Sequence, residues 1–195
     1  MVDFERRDAV TPLLRHLPNL LTALRLCAAP FTAALILRAN YSAALGFFAF
    51  AGLSDALDGY LARRLSPGSR FGVYLDPAAD KLLMLASFVT LTMVGAVPLW
   101  LTALVIGRDI AIVGGAAIAW LLALPLKIEP LQIGKISTVV QVGYIGLVLL
   151  LRAAEIEAPR LVLSGAIIAG AVTAASWAAY GQLLLRAVAL GRRTA

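Results

Sequence analysis

The chain has 195 residues, of which 61% are hydrophobic and 14% charged, with a formal net charge of +6. That length has room for one compact domain, and the composition is that of an integral membrane protein; it excludes a soluble nucleic-acid binder, because the basic residues gather at the ends of apolar runs instead of along one solvated face. The single cysteine, Cys27, lies in an apolar run and has no intramolecular partner, so no disulfide framework or oxidising compartment is indicated.

Residues 1–16 mix charges with Phe4, Val10, Leu13 and Leu14, which suits a short interfacial segment. A cleaved signal peptide is not expected, since acidic residues are interspersed and the apolar run that follows is long enough to span. His16 reads as a solvated or interfacial side chain. Residues 17–195 read as one membrane domain with spans at about 17–38, 42–64, 71–94, 97–124, 134–152 and 161–187, giving an all-α integral membrane fold of six transmembrane helices. Arg25 falls inside the first span, where a buried charge demands a polar partner or a cavity. Arg108 and Asp109 in the fourth point about 100° apart on a helix, so each is expected to find its partner elsewhere. For Arg108 that partner is either a carboxylate on another helix or a phosphate, onto which its guanidinium can fork.

Residues Pro125 to Pro130 form a loop, and Gly134-Lys135-Ile136-Ser137-Thr138 opens the fifth span. A cation and hydroxyls at a helix start can receive an anion; ordinary interfacial anchoring by Lys135 is the alternative. Ser176 and Tyr180, one turn apart in the sixth span, suit interhelical hydrogen bonding as well as substrate contact, while Gly107 and Gly114-Gly115 permit close helix approach. With six spans, eleven Lys and Arg fall on the side of both termini against Arg38, Arg152 and Arg160 opposite, which places the termini in the cytoplasm. Anionic lipid headgroups suit cations so placed.

The densest chemistry lies in SDALDGYLARRLSPGSRFGVYLDPAADK, Ser54 to Lys81. On one helix, Asp55, Asp58, Gly59 and Ala62 share an arc of roughly 100°, with Arg63 at its edge. Ser66-Pro67-Gly68-Ser69 makes a turn, and Gly72, Asp76 and Asp80 then recur every four residues on a second helix. The short turn is expected to bring the two faces, and four carboxylates, together. In low dielectric such anions must protonate, pair with cations such as Arg63, Arg64, Arg70 and Lys81, or bind metal. An all-oxygen set suits hard divalent ions, Mg²⁺ or Mn²⁺, and the glycines leave space for a bulky metal-bound phosphate to approach the backbone.

These residues spell D-x2-D-G-x2-A-R-x8-G-x3-D-x3-D with every fixed position filled, and there the chain resembles the CDP-alcohol phosphotransferase (CDP-alcohol phosphatidyltransferase) family. Pro18-Asn19-Leu20-Leu21-Thr22-x-x-Arg25 and Gly134 to Thr138 resemble flanking motifs of its bacterial phosphatidylglycerophosphate synthase and cardiolipin synthase branches. The resemblance implies a homodimer in the bacterial inner (cytoplasmic) membrane, its active site facing the cytoplasm. It implies transfer of a phosphatidyl group from CDP-diacylglycerol to an alcohol, with release of CMP and two divalent ions at the diphosphate. Asp55, Asp58 and Asp76 are then metal ligands, and Asp80 is both a ligand and the general base. Asn19, Thr22, Gly59, Ala62, Arg63 and Gly72 would hold the CDP moiety, and Arg108, Lys135 and Lys81 are the cations available to an acceptor phosphate.

Pro18 to Arg25 and Leu75 to Lys81 point first to glycerol 3-phosphate as acceptor, giving phosphatidylglycerophosphate. Gly107-Arg108-Asp109 and Pro130 to Thr138 look as much like the cardiolipin synthase branch, with phosphatidylglycerol as the alternative acceptor. A cation transporter or proton relay is the rival from another class: it accounts for intramembrane carboxylates but not for Gly59, Ala62, Arg63 and Gly72 at their spacing.

Overall fold

The computed structural model describes residues 26–65, 72–121 and 131–194, and for 55–65, 72–80, 116, 118–120 and 187–194 the description stops at the helical backbone. The expected interfacial segment, Asn19, Thr22 and Arg25, the turn at Ser66 to Ser69 and the loop at Pro125 to Pro130 lie outside the described residues.

Six helices carry the described chain: α1, described over Leu26–Leu37, α2 Tyr41–Leu65, α3 Gly72–Met93, α4 Leu99–Leu121, α5 Gln132–Ala153 and α6 Pro159–Thr194. The chain divides after Thr90 into two compact units.

In the first unit α1 stops where Ala39 takes a left-handed backbone (φ 56°), with its N–H on the Ile36 carbonyl and that of Asn40 on Leu35. Asn40 then caps α2, its Oδ1 accepting from the Ala43 N–H at 3.3 Å. Ala28, Ala29, Ile36, Ala44, Phe48 and Ala51 are buried, and Phe31 stacks on Phe47 with ring centroids 6.2 Å apart. On α3, Ser87 and Thr90 hydroxyls donate to the Leu83 and Ala86 carbonyls at 2.8 and 2.7 Å, which satisfies them inside an apolar helix.

In the second unit Gly95 (φ 71°) ends α3 by the same left-handed device, and Thr92 and Thr102 hydroxyls meet at 2.6 Å across the turn into α4. Glu155 (φ 55°) reverses the chain after α5, and Pro159 occupies the first position of α6, where its missing N–H costs nothing. Helix α6 packs on both α4 and α5. Buried between α5 and α6, Gln141 Nε2 donates to Ser137 Oγ at 3.2 Å and to Thr173 Oγ1 at 2.9 Å, and Thr173 donates onward to the Ala169 carbonyl at 2.7 Å.

The helices fall where the apolar runs place them, but the expectation of six membrane-spanning helices is overturned. Among the described residues two helices are long and apolar enough to cross, α5 and the Pro159–Arg186 part of α6. In the first unit charge interrupts the apolar pattern of two helices. Asp55, Asp58, Arg63 and Arg64 occupy the end of α2, and Asp76, Asp80 and Lys81 the start of α3. Among the described residues of this unit the apolar helical stretches are Leu26–Leu37, Tyr41–Ser54 and Lys81–Met93.

Candidate functional site

The aspartate motif is carried on regular helix. Asp55, Asp58, Gly59, Ala62 and Arg63 are in α2 and Gly72, Asp76 and Asp80 in α3, so the helical register assumed for each group of residues is realised in the backbone. The side chains of these residues, and the turn that joins the two helices, lie outside the described residues. Among the described residues there is no group of three or more His, Cys, Asp or Glu able to hold a metal. The donor set in the motif itself is all carboxylate, which is the chemistry hard divalent cations require. Just before it, Ser54 is buried with its hydroxyl donating to the Phe50 carbonyl at 2.8 Å. Lys81, just after it, is exposed.

The cations of the second unit have contrasting settings. Arg108 on α4 is buried, 6% exposed, and its guanidinium is a node for three helices. Nε and Nη2 donate to Ser176 Oγ on α6 at 3.3 and 3.1 Å, and Nη2 also reaches the Gly134 carbonyl on α5 at 3.5 Å. The Tyr180 ring lies below, 5.8 Å from the guanidinium carbon to the ring centre, a cation–π distance. Nη1 donates to Asp109 Oδ1 at 2.6 Å.

That last contact corrects the expectation that Arg108 and Asp109 cannot pair. Cβ directions one residue apart on a helix do diverge, but an arginine side chain is long enough to bring Nη1 to the neighbouring carboxylate all the same. A charge buried this deeply needs such compensation, and the hydroxyl, carbonyl, carboxylate and ring supply it together.

Lys135 is one residue beyond Gly134 in the first turn of α5, and it is exposed. The hydroxyls grouped with it by sequence are otherwise engaged. Ser137 is buried against Thr173 and Gln141, and Thr138 donates back to the Gly134 carbonyl at 3.2 Å. Gly134 is where it is for a steric reason, since a Cβ there would stand 2.9 Å from the Tyr180 hydroxyl and 3.2 Å from Arg108 Nη2. Sequence reading assigned no such role to Gly134, and it left Ser176 and Tyr180 between two roles; their one-turn spacing was the available signal.

Comparison with known proteins supplies the class. Residues 15–185 match the model of the CDP-alcohol phosphatidyltransferase family. The chain belongs to that family, and membership implies phosphotransferase-type chemistry in a membrane-associated chain. It is 35% identical over 159 residues to a probable cardiolipin synthase (CMP-forming) of Drosophila melanogaster, covering 73% of this chain and 48% of that one. It is 39% identical over 114 residues to a cardiolipin synthase (CMP-forming) of Streptomyces coelicolor, covering 55% and 53%. It is also 32% identical over 174 residues to a probable phosphatidylglycerophosphate synthase of Mycobacterium tuberculosis, covering 85% and 81%. The chain spans about half the length of these two cardiolipin synthases.

Proposed function

We propose that this chain transfers the phosphatidyl group of CDP-diacylglycerol to phosphatidylglycerol, forming cardiolipin and CMP. The observation that carries this reading is its similarity to cardiolipin synthases of an insect and a bacterium, at 35% and 39% identity. Gly107-Arg108-Asp109 and Pro130 to Thr138, which look like that branch, support it. The order of acceptors drawn from sequence, glycerol 3-phosphate first, is reversed on this ground. Glycerol 3-phosphate stands as the second reading because the phosphatidylglycerophosphate synthase of M. tuberculosis is similar over 85% of this chain.

In the reaction an acceptor hydroxyl oxygen forms a bond to the phosphorus that carries diacylglycerol, and the bond from that phosphorus to the CMP oxygen breaks. The bonding pair leaves on the CMP phosphate, and the hydroxyl proton passes to Asp80 as general base. Asp55, Asp58 and Asp76, with Asp80, are the oxygen donors that would hold two Mg²⁺ or Mn²⁺ ions, whose contribution when bound is to neutralise the diphosphate. Asn19, Thr22, Gly59, Ala62, Arg63 and Gly72 hold the CDP moiety. Lys135, exposed in the first turn of α5, is our contact for the acceptor phosphate, with Lys81 as a further candidate; Arg108 is engaged by Ser176, Asp109 and Gly134. We assign the chain to a bacterial inner membrane as a homodimer, with the site open to the cytoplasm, where CMP is released.

The test is to incubate purified protein with CDP-diacylglycerol and each acceptor separately and to identify the lipid by mass spectrometry. Cardiolipin from phosphatidylglycerol is the expected product. Phosphatidylglycerophosphate alone selects the second reading, and no new phospholipid from either acceptor overturns both.

A further inference from the structure

We infer that Ser176 and Tyr180 on α6 are positioning residues that act through Arg108 to fix the first turn of α5, and so set where Lys135 meets the phosphate of the acceptor. The inference rests on the reading of Lys135 as an acceptor contact. The phosphate is the chemistry common to phosphatidylglycerol and glycerol 3-phosphate.

Three observations converge on that turn. Ser176 is fully buried and its Oγ accepts from both Nε and Nη2 of Arg108, at 3.3 and 3.1 Å, which fixes the plane of the guanidinium. Nη2 then reaches the Gly134 carbonyl, which also accepts from Thr138 Oγ1 at 3.2 Å. On the other side the Tyr180 hydroxyl would stand 2.9 Å from any Cβ at position 134, so α5 is seated against the ring as closely as a glycine allows. Gly134 is therefore held by a hydrogen bond on one side and a wall on the other.

Lys135 is the next residue, its Cα about 3.8 Å away across one peptide bond, so a displacement of Gly134 carries it along. Further along α5, Ser137 and Gln141 tie the helix to Thr173, leaving the turn that carries Lys135 as the part whose place depends on Arg108. Burying an arginine to join helices costs desolvation that apolar packing would avoid. Its forked geometry does what apolar packing cannot, which is to define one orientation of α5 about its neighbours.

The test is a steady-state comparison of Ser176→Ala, Ser176→Thr, Lys135→Ala and the Ser176→Ala/Lys135→Ala pair, using CDP-diacylglycerol with phosphatidylglycerol and, in a second arm, with glycerol 3-phosphate. Ser176→Ala is expected to raise KM for the accepted acceptor about tenfold, the scale of one hydrogen bond to a charged group, with KM for CDP-diacylglycerol within about twofold of wild type. Ser176→Thr, which keeps the hydroxyl, restores the acceptor KM. In the Lys135→Ala background the serine substitution adds nothing, because the group it positions has gone. Gly134→Ala, which pushes the turn off Tyr180, repeats the effect if Ser176→Ala fails to accumulate. Parallel rises in both KM values, or additive effects in the double variant, reduce Ser176 to a packing residue and overturn the inference. An unchanged acceptor KM in Lys135→Ala alone overturns the reading of Lys135, and the inference with it, while the identity of the lipid product stays a separate result.

Discussion

Trp100 on α4 covers Gly170 on α6 so closely that a Cβ at position 170 would stand 2.6 Å from Cζ3 and 2.9 Å from Cη2 of the indole. No side chain fits there without moving the ring or the helix. Gly165 is placed likewise under Tyr144 of α5, with Cδ2 at 3.0 Å. One helix thus uses two glycines to approach a neighbour on each side, the means of association open to helices that gain little from burying apolar surface in lipid. Gly170→Ala should cost about 1–3 kcal/mol, the usual scale of overpacking, and should lower the thermal midpoint of the purified protein. Gly146→Ala is the control: nothing lies within 4 Å of a Cβ there, and alanine should be neutral or stabilise the helix by up to about 1 kcal/mol. Equal midpoints for the two variants would contradict the packing account.

The Gln141 node between α5 and α6 makes a second prediction. Gln141→Leu removes the donors to Ser137 and Thr173 while keeping an apolar volume, and Thr173 retains its bond to the Ala169 carbonyl. The loss should be modest, about 0.6–1.7 kcal/mol, as for other polar contacts between membrane helices. Thr138→Ala, which removes only a bond within one helix, should change stability by less than about 0.5 kcal/mol. Detergent titrations of unfolding would rank the two, and a larger loss for Thr138→Ala would place the interhelical tie elsewhere.

Much of this arrangement could be read from the chain. The helices follow apolar runs bounded by Asn40, Gly95 and Pro159, whose turn and capping chemistry is local. The aspartate motif was legible because its spacing matches the helical period of α2 and α3. What was not legible depends on length or on distant residues. Asp55 to Lys81 puts charge at the end of α2 and the start of α3, which the apolar runs used to lay out six spans did not weigh. The pairing of Arg108 with Asp109 was missed because Cβ direction was used for a side chain long enough to reverse it. Gly134, Gly165 and Gly170 owe their identity to Tyr180, Tyr144 and Trp100, and nothing in the residues beside each glycine announces such a partner.

The aspartates carry the catalytic prediction. Asp55→Asn, Asp58→Asn and Asp76→Asn should each reduce turnover at least about 100-fold, since a neutral amide supplies less charge to a divalent cation, while the protein still inserts in the membrane. Asp80→Asn should lose more in kcat than in binding of CDP-diacylglycerol, because removing a base spares ground-state contacts. Equal losses in both would make Asp80 a ligand only. Activity should vanish on exhaustive chelation and return with Mg²⁺ or Mn²⁺, and turnover undiminished by chelation would sink the metal assignment.

If the phosphatidyl group comes from the CDP-lipid, CMP and cardiolipin can be counted against each other in a reaction of purified protein, CDP-diacylglycerol and phosphatidylglycerol. One CMP is expected for each cardiolipin, and no cardiolipin when CDP-diacylglycerol is withheld. Cardiolipin formed from phosphatidylglycerol alone, with free glycerol as the other product and no CMP, would contradict that origin.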